Sequence, residues 1–164
     1  MINKPYRPGA VGALLDIYEQ AISDFKAVIE DIPDGMLTVI TDPVTADENC
    51  RSVQTILTHV VSSGFNYATS IDRLKGHTVE TKSKVFHQTI EAYVHDLTNV
   101  FAYTEKVFSS IEDNELEQFD DSLKIKARWG QVYDIEQMTE HAIVHILRHK
   151  RQLEKIKLRF RSDA

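Results

Sequence analysis

The chain contains one cysteine, Cys50, in 164 residues. A lone thiol excludes an internal disulfide framework and a cysteine-ligated zinc cluster, and it fits a reducing compartment. No histidine or lysine motif surrounds it, so Cys50 reads as structural or incidental. The opening residues, MINKPYRPGA, lack the apolar core of a secretory signal. No uncharged run approaches the roughly 18 residues that crossing a bilayer requires. A cytoplasmic protein without a membrane partner is the resulting expectation. A broad basic face is also missing: 19 Lys and Arg stand against 25 Asp and Glu, a formal net charge of −6. The one basic cluster, Arg148 to Arg161, reads as a helix C-terminus complementing its own dipole. Nucleic acid is therefore not expected as a partner. Absent too are HExxH, CxxC, a P-loop, GxGxxG and GxSxG. There is no Glu-x-x-His pair, which carboxylate di-iron bundles require.

What is present is ordinary in bulk and specific in pattern. Apolar residues make up 42% and charged residues 27%, and the length suits one domain, residues 1–164, with a core of its own. Leu14, Ile17, Tyr18, Ala21, Phe25, Val28 and Ile32 recur at three- and four-residue steps and predict a helix over 10–32, stopped by Pro33-Asp34-Gly35. Ser52 is a candidate N-cap for a second helix that runs to Lys75, before Gly76. Its inward stripe is Val53, Ile56, Val60, Tyr67, Ile71 and Leu74, with His59 on the edge. Gly64 in its middle marks a place where another helix or a ligand comes close. A third helix is predicted over 82–111, rich in aromatics, with His87 and His95 expected in solvent. The stretch 112–133 ends in LKIKARWGQVY, whose alternation fits a short hairpin or an extended loop. The last helix covers 134–161. These elements predict an all-α four-helix bundle with long connections between helices one and two (33–51) and three and four (112–133).

The last helix carries His141, His145 and His149 at a strict four-residue step. Seven histidines placed at random would give about a quarter of one such pair, so the two pairs here are no accident of composition. Ile135, Met138, Ala142, His145, His149, Gln152 and Ile156 form one inward stripe. Two readings follow. Core histidines are commonly just hydrogen-bonded to a carbonyl or hydroxyl, whereas two imidazoles four apart on an inward face reach a common ion. A third ligand from another helix decides between them, and His59 is the candidate. Three neutral imidazoles leave coordination positions open, as in catalytic rather than structural zinc sites.

Two stretches, SVQTILTHVVSSGFNYATSI and GQVYDIEQMTEHAIVHILRHKRQL, resemble the second and last helices of the DinB/YfiT-like superfamily of metal-dependent enzymes, and the likeness extends over most of the chain. Position by position, that family's three ligands fall on His59, His145 and His149, with His141 one turn before the pair and outside the set. The resemblance implies a four-helix bundle, a divalent metal ion such as zinc or nickel at one end, and a homodimer. Nitrogen ligands favour those ions over magnesium or calcium. It further implies a small-molecule substrate, with a low-molecular-weight thiol as a candidate partner, since characterised relatives include thiol S-transferases and a thiol-dependent isomerase. A metal-activated water would make a hydrolase instead. The alternative is a non-catalytic binding or dimerisation module, in keeping with the stress response behind the family's name. Ser63, Arg148, Gln152 and Trp129 are neighbours able to orient a substrate, with Arg148 expected to face solvent.

Overall fold

The computed structural model of the chain describes residues 5–162; the first four residues of the irregular start lie outside them. Four helices carry most of the described chain: α1 (Gly9–Ile29), α2 (Val53–Leu74), α3 (Ile90–Phe108) and α4 (Ile135–Ser162). A two-stranded antiparallel hairpin, β1 (Ile125–Lys126) and β2 (Val132–Tyr133), precedes α4. The alternation in LKIKARWGQVY is thus a hairpin, turned at Gly130 with φ +95°.

Each helix forms where apolar residues recur at helical spacing, and each turns that stripe into one shared core. Phe25 and Ile29 of α1, Val53, Ile56 and Leu57 of α2, Tyr93 and Leu97 of α3, and Met138 and Leu153 of α4 are at most 1% exposed. Side chains cap three of the four helix starts, Asp134 Oδ1 accepting from the Gln137 amide at the head of α4 and Ser52 serving α2 as expected. Ser52 Oγ accepts from the Thr55 amide while Thr55 Oγ1 accepts from the Ser52 amide, a reciprocal box at the head of α2. Thr89 Oγ1 accepts from the Ala92 amide at the head of α3. Two residues assigned to inward stripes face outward instead. Ile17 (56% exposed) lies on the flank of the face made by Leu14, Tyr18, Ala21 and Phe25, and Leu74 (37%) ends its helix beyond the last packing neighbour.

The helix directions correct a larger expectation. Lys150 pairs with Asp24 and Lys157 with Asp31, so α1 and α4 run parallel. Thr58 meets Tyr93 and Asp72 meets Tyr103, so α2 and α3 also run parallel. Lys26 reaching Thr98, and Arg7 reaching Glu105, make α1 and α3 antiparallel. A parallel neighbour has to be reached by a return run along the whole helix. For the 22 residues of α2 that is about 33 Å, or about ten extended residues. Residues 75–89 provide it. The expected start of helix three at Lys82 is therefore wrong: 82–89 is extended, and Val85 and Phe86 are more than half exposed. This strap is tied to α2 at three levels. Arg73 donates to Val79 O, Thr58 Oγ1 to Val85 O, and Gln54 Nε2 to His87 O. At its far end the buried Tyr93 hydroxyl accepts from the His87 amide at 3.1 Å. His87 is accordingly not the solvated residue expected; it is half-buried, with Nε2 2.7 Å from Asp96 Oδ2.

Gly64 marks helix-to-helix contact, not a ligand. A Cβ there would stand 2.6 Å from Val100 Cγ1 on α3. Adding it overpacks a stiff neighbour, at roughly 1–3 kcal/mol, against about 1 kcal/mol of helix propensity gained over glycine. Gly64→Ala is expected to destabilise the protein, whereas the same change in a Val100→Ala background stabilises it by about 1 kcal/mol. Denaturant unfolding of the four proteins in the cycle measures the reversal of sign.

Candidate metal centre

Helices α2 and α4 touch with opposite directions, His59 meeting His145 and, further along, Tyr67 meeting His141. That contact brings together the three histidines singled out by the sequence. His59 Nε2 lies 2.9 Å from His145 Nε2. Ring centroids stand 4.8 Å apart for His59 and His145, 5.2 Å for His59 and His149, and 4.6 Å for His145 and His149. One nitrogen from each ring lies within 4.8 Å of the other two. His149 is 3% exposed, and the other two are half-buried. His59 thus turns inward and supplies the partner from another helix that the pair on α4 needed.

The protonation of the rings follows from their surroundings. Burial, which penalises the charged form, lowers the His59 pKa to about 4 and that of His145 to about 3; repulsion from Arg148, and from His149 when it is protonated, pushes in the same direction. Burial also lowers His149, partly offset by its hydrogen bond to Gln152. All three rings are neutral at pH 7, the form in which imidazole binds a metal. The remote nitrogens fix which face is bare. His149 Nδ1 donates to Gln152 Oε1 at 2.9 Å, so its Nε2 carries a lone pair. Gln152 is held in turn by the Cys50 thiol at 3.9 Å, which gives that lone, buried cysteine a structural place. His59 Nδ1 is 3.5 Å from Ser63 Oγ. Two imidazole nitrogens 2.9 Å apart repel if both present lone pairs, so either a proton or a cation belongs between them. Zinc–imidazole bonds of about 2.0–2.1 Å place neighbouring ligand nitrogens about 3 Å apart. The donor set therefore fits a metal ion, and its second hydrogen bonds are those that orient metal-bound imidazoles.

The trio forms the floor of a cavity of about 640 Å³ between α2, α4, the strap and the hairpin. His141 lies in its wall and outside the trio, as expected. Its ring stacks on Trp129 at 5.0 Å and 19° and meets Tyr67 edge-on at 5.3 Å. Arg148 is exposed, as expected, yet it also lines the cavity. Sequence reasoning missed Asp47, Lys126 and Arg128, which line it as well. Asp47 and Arg128 sit in irregular segments, where no periodicity says which way a side chain points, and Lys126 sits in a two-residue strand, too short for alternation to say so. Asp47 is held below the usual carboxylate range, first by the Asn49 amide, and its negative charge acts favourably on protonated His59 and His149. A cation at the floor would feel the same attraction.

Because the unfolded chain binds protons on these histidines near pH 6.5 and the folded chain does so only near pH 4 and 3, unfolding takes up protons in that window. Stability of the metal-free protein is therefore complete above about pH 6.5 and falls progressively as pH drops toward about 3. Thermal unfolding across that range should show the decline, and a His59→Gln/His145→Gln variant should show a clearly shallower one; parallel curves would contradict burial of these two rings as its cause.

Among the described residues, no helix is long and apolar enough to cross a membrane. No family model, curated protein or solved structure matches the chain, leaving the three imidazoles and the cavity above them as the basis for a functional reading.

Proposed function

We propose that the chain is a metal-dependent enzyme that holds zinc or nickel on His59, His145 and His149, in a four-helix bundle of the DinB/YfiT-like type. The observation that carries this reading is the convergence of three neutral imidazoles, from two antiparallel helices, at the floor of a cavity of about 640 Å³. Three protein ligands leave coordination positions for water or substrate. A divalent ion held there supplies Lewis acidity, lowering the pKa of a coordinated water or thiol toward neutrality.

The chain's own residues do the rest. Gln152 keeps His149 in the tautomer whose Nε2 is bare, by accepting from Nδ1. Trp129, His141 and Tyr67 make an aromatic wall along one side of the cavity. The reaction this equipment suits is transfer of a low-molecular-weight thiol to a small electrophile, with hydrolysis of a small molecule as the variant in which water is the nucleophile. The homodimer belongs to the same proposal, supported by Val144 and Leu147, apolar residues of α4 that are 62% and 39% exposed.

Elemental analysis of protein made without a histidine tag tests the metal. About one divalent ion per chain is expected, retained by the wild type and lost from His59→Ala, His145→Ala and His149→Ala alike. Loss from only one of the three variants rules out a shared site. An ion-free wild type that also fails to take up zinc or nickel leaves the non-catalytic binding module as the reading. Thiol consumption with model electrophiles separates transferase from hydrolase.

A further inference from the structure

The cavity above the histidines differs in charge from the protein around it. Over the whole chain acidic residues outnumber basic ones, 25 to 19. Among the residues that line the cavity the balance is reversed: Arg73, Lys126, Arg128 and Arg148 face a single carboxylate, Asp47. Asp47 is already engaged by the Asn49 amide and side chain. Arg73 spends its donors on neutral acceptors, Val79 O and Thr81 Oγ1, so its charge is not cancelled. Lys126, Arg128 and Arg148 make no ion pair among the described residues, unlike Arg7, Lys75, Lys124, Lys150 and Lys157, which do. Cations left unpaired around a concave site focus a positive potential into it. They come from two elements, Arg148 from α4, next in sequence to His149, and Lys126 and Arg128 from the hairpin. Arg148 acts on the floor directly, its charge being felt by all three histidines.

We propose that this cavity selects an anionic small molecule, whose negative group is held by Arg148 together with Lys126 and Arg128 while its apolar part lies along the Trp129 wall. This deepens the functional reading by naming the substrate class of the same site, and it rests on that reading only for the chemistry that follows binding. Guanidinium groups suit a planar carboxylate, which they grip through paired N–H donors. A cation on the three imidazoles would add to the same potential.

A matched pair of aromatic probes, 2-naphthoate and its neutral amide 2-naphthamide, tests the selection on the full chain by ligand-observed magnetic resonance. The protein is first stripped with a chelator, so that the outcome does not depend on the metal. The acid is expected to bind about tenfold or more tightly than the amide, with the preference shrinking as salt is raised. In a Lys126→Gln/Arg128→Gln/Arg148→Gln variant the acid should fall to the affinity of the amide, which itself stays put. These three side chains are exposed, and Arg73 is left in place because it anchors the strap. Equal affinity of the two probes for the wild type, a preference that survives in the triple variant, or no binding of the acid would each overturn the proposal. Metal content measured on the same samples separates the two ideas. Anion preference in a chain that takes up no metal refutes the metalloenzyme and keeps the anion site, while a metal-loaded chain indifferent to charge does the reverse.

Discussion

Everything distinctive in this protein depends on α2 and α4 lying against each other with opposite directions and a largely buried seam between them. A helix presents residues four apart on one face, so α4 offers His145 and His149 as neighbours, while His141, about 12 Å along the axis from His149, is too far to share one point with both. His59 closes the set because the second turn of α2 falls opposite the middle of α4. The same seam keeps the rings uncharged. Burial is the largest influence on each of them, and an ion binding there has no proton to displace at neutral pH. Geometry and protonation therefore share one origin, the burial of an inward stripe that includes polar rings where the rest of the stripe is Met, Ala and Ile.

Much of this is legible in the sequence, for a definite reason. Helical periodicity repeats over many residues, so it places α1, α2 and α4 within a few positions, and the four-residue step of the histidines decides which face they share. Ser52 announces its cap. What periodicity does not carry is direction. Nothing in GHTVETKSKVFHQT states that α3 lies parallel to α2, and only that fact turns 75–89 into a strap and strips Val85 and Phe86 of their place in a helix. The aromatic and β-branched residues there mimic the stripe that continues from Ile90, which is why the pattern starts the helix too early. Asp47, Lys126 and Arg128 are hidden for a related reason, since loops and a two-residue strand have too few patterned neighbours in sequence to report orientation.

The helices and the connections divide the work of the site. Nitrogen donors sit on α2 and α4, where packing fixes each side chain, and a ligand set tolerates little error in position. The other groups that line the cavity come largely from the connections between helices: Trp129 and two of the cations from the hairpin, Asp47 from the α1–α2 connection, Thr81 from the strap. Loops vary more freely than the elements that carry them. A change in the cavity wall of this architecture can therefore proceed through the hairpin and leave the three imidazoles untouched.

The strap shows how far topology reaches into the site. Parallel α2 and α3 require a return run, and that run has to pass along the outside of α2, the helix that carries His59. Arg73 fixes its early part by donating to Val79 O and Thr81 Oγ1, and Lys82 lies 3.7 Å from the centre of the Phe65 ring. The segment so held supplies Thr81 to the cavity wall. Had α3 been antiparallel to α2, a turn of about two to eight residues would have joined them. The cavity would then be open on that side. Helix direction thus bounds the space above the three imidazoles, although no residue of the strap belongs to their ligand set.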